Sequence, residues 1–215
     1  FKRLRMYKLR ANVEIEIAEE LAVAVMFGDD IHDALALDPT LGAAMEWLGG
    51  VIYTDPRLSE IGARAILPNN SLEIALHDEA LIPAPFEDYD QLRLALGLPD
   101  GSRDLEIDKS TLLECGFEEL HGVDFQKGCY MGQELTARTK HRGLVKKRLI
   151  PVSFNGDALA AGAEITQAGK NAGEIRSTAD GQGLALVRLE SLADPAPLMV
   201  GDIPVTPNKP AWANF

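Results

Sequence analysis

The chain has 215 residues, of which 46% are hydrophobic and 25% charged, the balance of a folded globular protein with one large or two modest domains. No run of about 18 apolar residues occurs, which excludes a membrane-spanning helix. Two cysteines without CxxC spacing, Cys115 and Cys129, are too few for a disulfide scaffold. The net charge of −12 is unevenly spread: residues 1–10 hold five basic and no acidic groups, and residues 127–148 hold seven basic groups against Glu134. An acidic body repels nucleic acid at long range, while a basic segment can hold a small anion locally, so direct DNA binding is not expected.

The first residue is Phe1 rather than Met, so a segment is expected upstream. Residues 4–9 read as the tail of a helix. Residues 12–17 alternate, with Val13, Ile15 and Ile17 on one face, and predict a half-buried strand rather than the apolar core of a secretory signal. The apolar run 21–27 predicts a second, more buried strand, joined to the first as a hairpin by a turn at 18–20. Residues 63–67 predict another strand, followed by a turn at Pro68-Asn69-Asn70.

A helix is expected over 86–96, with Phe86, Tyr89, Leu92 and Leu96 on one face, Gly97 as its stop and Pro99 beyond. Residues 98–104 follow as a loop. A second helix is expected over 131–141, with Gly143 just past its end and Arg138, Lys140, His141 and Arg142 in or beside its last turn, where they suit the negative end of the helix dipole. After Val145 short alternating stretches are punctuated by glycines, the pattern of a small β domain. The domain boundary is set near residue 145, giving an α+β region over 1–145 and a β-barrel domain over 146–215.

One stretch stands out: Lys127-Gly128-Cys129-Tyr130-Met131-Gly132-Gln133-Glu134. Two glycines allow a tight turn and close approach of backbone to a ligand. A cysteine just ahead of a helix start, with Lys127 two residues away, has the setting of an activated or metal-competent thiol. The same residues also fit a buried cysteine at a tight turn with Lys127 in solvent. An iron–sulfur cluster normally takes four thiolates, so one thiolate could contribute only to a shared or transient cluster, with the other ligands from a partner. His32, His77, His121 and His141 lack metal-ligand spacing, and no resident metal site is predicted.

The stretch 127–134 matches the KGCYxGQE signature of the YgfZ family, folate-binding accessory proteins of iron–sulfur cluster assembly. Residues 122–127, 136–143, 53–57 and 89–97 also look like that family, which is similar in fold to the glycine-cleavage T-protein, a tetrahydrofolate-dependent aminomethyltransferase. The resemblance implies an α+β fold, with T-protein-like folate-binding subdomains followed by a small C-terminal β-barrel. It implies a tetrahydrofolate site and Cys129 as the functional thiol, with Lys127 close to the folate. Gly128, Tyr130, Gln133 and Glu134 are carried along as folate-site residues, Gln133 and Glu134 ordering the turn and helix start. Arg138, Lys140 and Arg142 would face a polyglutamate tail. The implied role is the maturation or repair of [4Fe–4S] proteins, including radical-SAM enzymes that modify tRNA, with iron–sulfur carrier or client proteins as partners and no membrane.

Family members carry an upstream α+β segment before the position of Leu4–Val13, so folate-facing residues are expected on a part preceding this chain. The implied compartment is the bacterial cytoplasm, with the mitochondrial matrix as the alternative. A folate-dependent one-carbon transferase and a plain docking domain for an acidic partner remain the competing readings.

Overall fold

The computed structural model describes residues 1–77, 81–130, 132–143 and 145–215. Met131, on which the second expected helix begins, lies outside the described residues. The chain divides into two units, one of Phe1–Asp55 with Gly62–Pro83, the other of Pro56–Ile61 with Ala84–Phe215.

The first unit contains helices α1 (Lys2–Tyr7), α2 (Ile31–Ala34) and α3 (Asn69–Leu76) and strands β1 (Leu21–Met26), β2 (Ala44–Trp47), β3 (Gly50–Thr54) and β4 (Ala63–Pro68). The strands form an antiparallel sheet in the order β1-β4-β3-β2. Its core gathers Met26, Ile31, Leu35, Leu37, Ile52, Ala65 and Leu67. Leu48 and Gly49, both at positive φ (48° and 78°), make the two-residue turn that sends β2 into β3. Such a turn matches the twist of the paired strands.

Three expectations for this unit are corrected. Residues 12–17 are not a strand: they join no ladder among the described residues, and Val13 and Ile17 stand 48% and 63% exposed. Alternation specifies which side chains share a face, but a strand exists only where a neighbour accepts its backbone hydrogen bonds. The turn at 18–20 is present, with the Leu21 N–H donating to the Ala18 carbonyl at 3.3 Å, yet β1 pairs with β4 instead of a hairpin partner. Because β1 lies at the sheet edge, its apolar run is less buried than expected, with Val23 63% exposed. At 68–70 the chain starts α3 instead of turning. Pro68 sits at the cap, where the proline's missing N–H costs no helical bond, and the Asn69 side chain donates to the Glu19 carbonyl at 2.8 Å.

The second unit contains a 3-10 turn (Ser59–Ile61), α4 (Phe86–Leu96), α5 (Gln133–His141) and α6 (Leu189–Ala193). Its strands are β5 (Lys147–Phe154), β6 (Glu164–Gln167), β7 (Lys170–Ala179), β8 (Gln182–Arg188), β9 (Leu198–Val200) and β10 (Ile203–Pro207). They close into an antiparallel barrel in the order β10-β5-β8-β7-β6-β9, the expected β architecture. Ile150, Val152, Phe154, Ile165, Ile175, Val187, Leu198 and Val205 fill its interior. Along β5 the core residues Ile150, Val152 and Phe154 alternate, as do Ala185 and Val187 along β8, the pattern of a closed sheet.

Helix α4 matches its expected limits, and Gly97 closes it at φ 78° in the left-handed conformation. Its buried side chains are Tyr89, Arg93 and Leu94, whereas Phe86 is 60% exposed. Arg93 is drawn inward because its guanidinium is fully engaged. It reaches Asp90 and Asp104 at 2.5 Å each, Ser177 Oγ at 3.1 Å and the Leu98 carbonyl at 3.3 Å. Asp104 also accepts the Ser177 hydroxyl and the Asp100 N–H, so this buried cluster ties α4 to β7.

Candidate functional site

The site grows from a turn-rich stretch that leads from Thr111 into α5. Cys115 is 3% exposed and packs with Leu94, Leu149, Leu184 and Leu186. Burial, then the neighbouring Glu114 carboxylate, pushes its thiol up to about 11. Cys115 is therefore a neutral core thiol. Leu120 is also buried, and Arg148 pairs with Glu119 at 3.0 Å and donates to the Leu113 carbonyl at 2.8 Å. These contacts fasten the stretch to the barrel strand β5.

Beyond Leu120 the chain emerges to the surface, and Cys129 is exposed. That overturns the buried-cysteine reading of the motif. Gly128 and Gly132 adopt φ of 86° and 90°, and a Cβ added at either would meet nothing within 4 Å. Both glycines thus serve the turn geometry, Gly132 as the residue that caps α5. The Gln133 side chain reaches back and accepts the Tyr130 N–H at 3.1 Å, and the Gln133 N–H donates to the Tyr130 carbonyl at 3.3 Å. This reciprocal pair ties the loop carrying Cys129 to the helix start. Lys127 Nζ lies 4.6 Å from the centre of the Tyr130 ring and covers one of its faces.

Along α5, Glu134 in the first turn pairs with Arg138 at 2.5 Å, an i,i+4 pair within the helix. Arg138, Lys140 and His141 occupy the last turn and Gly143 follows at φ 59°, as expected from the sequence. Lys140 is committed to two groups, pairing with Glu118 and lying 4.0 Å over the Phe125 ring. Of the three cations expected to face an anionic tail, Arg142 is thus the one with no carboxylate partner among the described residues. Glu118, Glu119 and Glu134 offset much of the positive charge of 127–148. Glu118 and Phe125 carry no sequence signal, because their partner Lys140 is 22 residues beyond Glu118 in the chain.

The structure thus brings Lys127, Gly128, Cys129, Tyr130, Gln133, Glu134 and Arg138 into one arm with Arg142 just beyond its helix. Among the described residues no group of three or more His, Cys, Asp or Glu side chains is placed to hold a metal ion.

Residues 146–215 match the family described as the CAF17 C-terminal β-barrel domain. The chain is 33% identical to the mitochondrial iron–sulfur cluster assembly factor IBA57 of Mus musculus, over 98% of this chain and 60% of that protein. It is 34% identical to the Homo sapiens factor of the same name, over 90% of this chain and 54% of that protein. The chain thus spans a little over half the length of these curated relatives. Among solved structures, the glycine cleavage system aminomethyltransferase T of Bartonella henselae aligns with a TM-score of 0.62 at 17% identity, covering 85% of this chain and 56% of that one. By sequence the chain is similar to mitochondrial iron–sulfur cluster assembly factors named IBA57, and by fold it is an aminomethyltransferase-like α+β protein ending in a β-barrel.

Proposed function

We propose that this chain is a folate-linked accessory factor in the assembly or repair of [4Fe–4S] proteins, of the kind the YgfZ resemblance implies, acting through Cys129. The observation that carries the reading is the exposed thiol of Cys129 on a loop clasped by Gln133 and Tyr130. An iron–sulfur carrier or client protein would supply the remaining ligands, with the cluster as cargo. A reduced folate such as tetrahydrofolate supplies one-carbon chemistry when bound. Among the described residues Lys127 and Arg142 have no carboxylate partner and could meet its glutamate tail, whereas Arg138 and Lys140 would have to exchange existing partners. Because the relatives are longer, the remaining folate contacts would come from outside this sequence. The relatives are mitochondrial, which supports the matrix alternative for this chain.

Cells lacking the protein, complemented with full-length wild type or Cys129→Ala, provide the test. The readout is the activity of a [4Fe–4S] tRNA-modifying enzyme. Rescue by wild type alone is expected, and equal rescue by both overturns the thiol role. For the folate tail, Arg142→Ala should weaken a polyglutamylated folate more than a monoglutamate, and more strongly at low salt. Equal losses for both ligands would remove that part of the reading.

The fold favours a second reading, an aminomethyl or other one-carbon transferase. That chemistry has no need of a thiol at Cys129. One-carbon transfer to tetrahydrofolate that survives Cys129→Ala would establish it.

A further inference from the structure

Helix α5 has nine residues and buries none of them. Isolated helices shorter than roughly 12–15 residues are marginal in water, so packing or polar ties must hold it. The Glu134–Arg138 pair and the Thr139 hydroxyl bond to the Leu135 carbonyl both stay inside the helix. Among the described residues, the side-chain ties that leave the arm 127–143 are those of Lys140, to Glu118 and to the Phe125 ring.

Glu118 belongs to anchored chain. Phe117, beside Glu118, packs on the cluster of Leu94, Cys115 and Leu149, and accepts the Gly122 and Val123 N–H groups on its carbonyl at 2.6 and 3.1 Å. Phe125 begins the loop that carries Cys129, and Lys140 lies near the far end of the helix that follows it. The Lys140–Phe125 contact therefore closes residues 125–140 into a loop with Cys129 inside, and Glu118 fastens the closure to the body of its unit. Closing the loop in the folded chain restricts where the thiol can stand.

We infer that Lys140 is a positioning residue. Its ammonium, held between Glu118 and Phe125, pins the Cys129-bearing arm and sets how the thiol is presented to a partner. The inference rests on the role proposed for Cys129, and its test separates the two.

The test uses the full-length protein with Lys140→Met, which removes the cation and keeps most of the stem, and Lys140→Arg, which retains both the ion pair and the ring contact. An exposed ion pair and a cation–π contact together correspond to a change of about fivefold to tenfold in the opening equilibrium. Amide hydrogen exchange across 134–141 should quicken by that factor in Lys140→Met and stay near the wild-type rate in Lys140→Arg. The activity of the [4Fe–4S] enzyme in complemented cells should fall with Lys140→Met and be restored with Lys140→Arg. Unchanged exchange in Lys140→Met overturns the proposal. So does faster exchange with full rescue by Lys140→Met where Cys129→Ala fails. Full rescue by Cys129→Ala would instead overturn the thiol reading, while the exchange rates would still decide whether Lys140 pins the arm.

Discussion

Replacing Arg93 by methionine isolates the energetic core of the barrel unit. Arg93 and Asp104 are 3% and 1% exposed and meet at 2.5 Å. In Arg93→Met the Asp104 carboxylate keeps the Ser177 hydroxyl and the Asp100 N–H, at 2.7 Å, but loses its countercharge. Removing one partner of a buried ion pair costs about 3–5 kcal/mol, because the other charge stays buried without compensation. Asp90 contributes little to this loss, since Arg103 continues to hold it through bonds of 2.6 and 2.9 Å. Domains of this size are stable by only about 5–15 kcal/mol. With a urea m-value of about 2 kcal/mol per molar, the midpoint should fall by roughly 2 M. Trp212, whose indole N–H donates to the Leu96 carbonyl at 2.7 Å, reports on this unit by fluorescence in a Trp47→Phe background. Adding Asp104→Asn should restore about 2 kcal/mol, because the burden is the unpaired charge. A loss below about 1 kcal/mol, or a double variant no more stable than Arg93→Met, refutes the reasoning.

Three further outcomes are expected. Iodoacetamide at neutral pH should add once to the native chain, at Cys129, and at Cys115 only in denaturant; two adducts on the folded protein would contradict the burial of Cys115. Burial raises the Asp90 carboxyl, but the hydrogen bonds from Arg103 and Arg93 outweigh it and hold the group below its ordinary 3.8. Its contribution is therefore present above that ordinary value and lost as pH falls through the lower folded value, so urea midpoints of the barrel unit should drop in acid, less steeply in Asp90→Asn. Identical slopes would rule this out. Gly62 sits at φ 95°, and a Cβ there would lie 2.2 Å from the Met26 carbonyl oxygen, backbone against backbone. Gly62→Ala should destabilise the first unit by about 2 kcal/mol or more, read from Trp47 fluorescence, and wild-type stability would show that the strand ends shift freely.

Local chemistry determined a good part of this protein. The limits of α4 follow from Pro85 before it and Gly97 after it, and the barrel follows from short alternating strands whose glycines mark the turns. The motif 127–134 was visible as a turn before a helix for the same reason: Gly128 and Gly132 write their positive φ into the sequence.

What escaped depends on partners far along the chain. Residues 12–17 carry a strand pattern, yet no neighbouring ladder receives them, while β1 finds β4 more than 35 residues later in the chain. Hairpin β2–β3 was missed because its turn places Leu48, a residue with no turn signature, at positive φ. Arg93 looks like a solvent-facing helical cation until Asp104 and Ser177 close around it. The sequence by itself determined the periodic elements, the glycine turns and the thiol motif, because each is set by residues within a turn or two of one another. Only the tertiary structure decided which strands pair, that Cys129 is exposed, and that Lys140 is held by Glu118 and Phe125, because burial and charge pairing depend on groups that meet only when the chain folds.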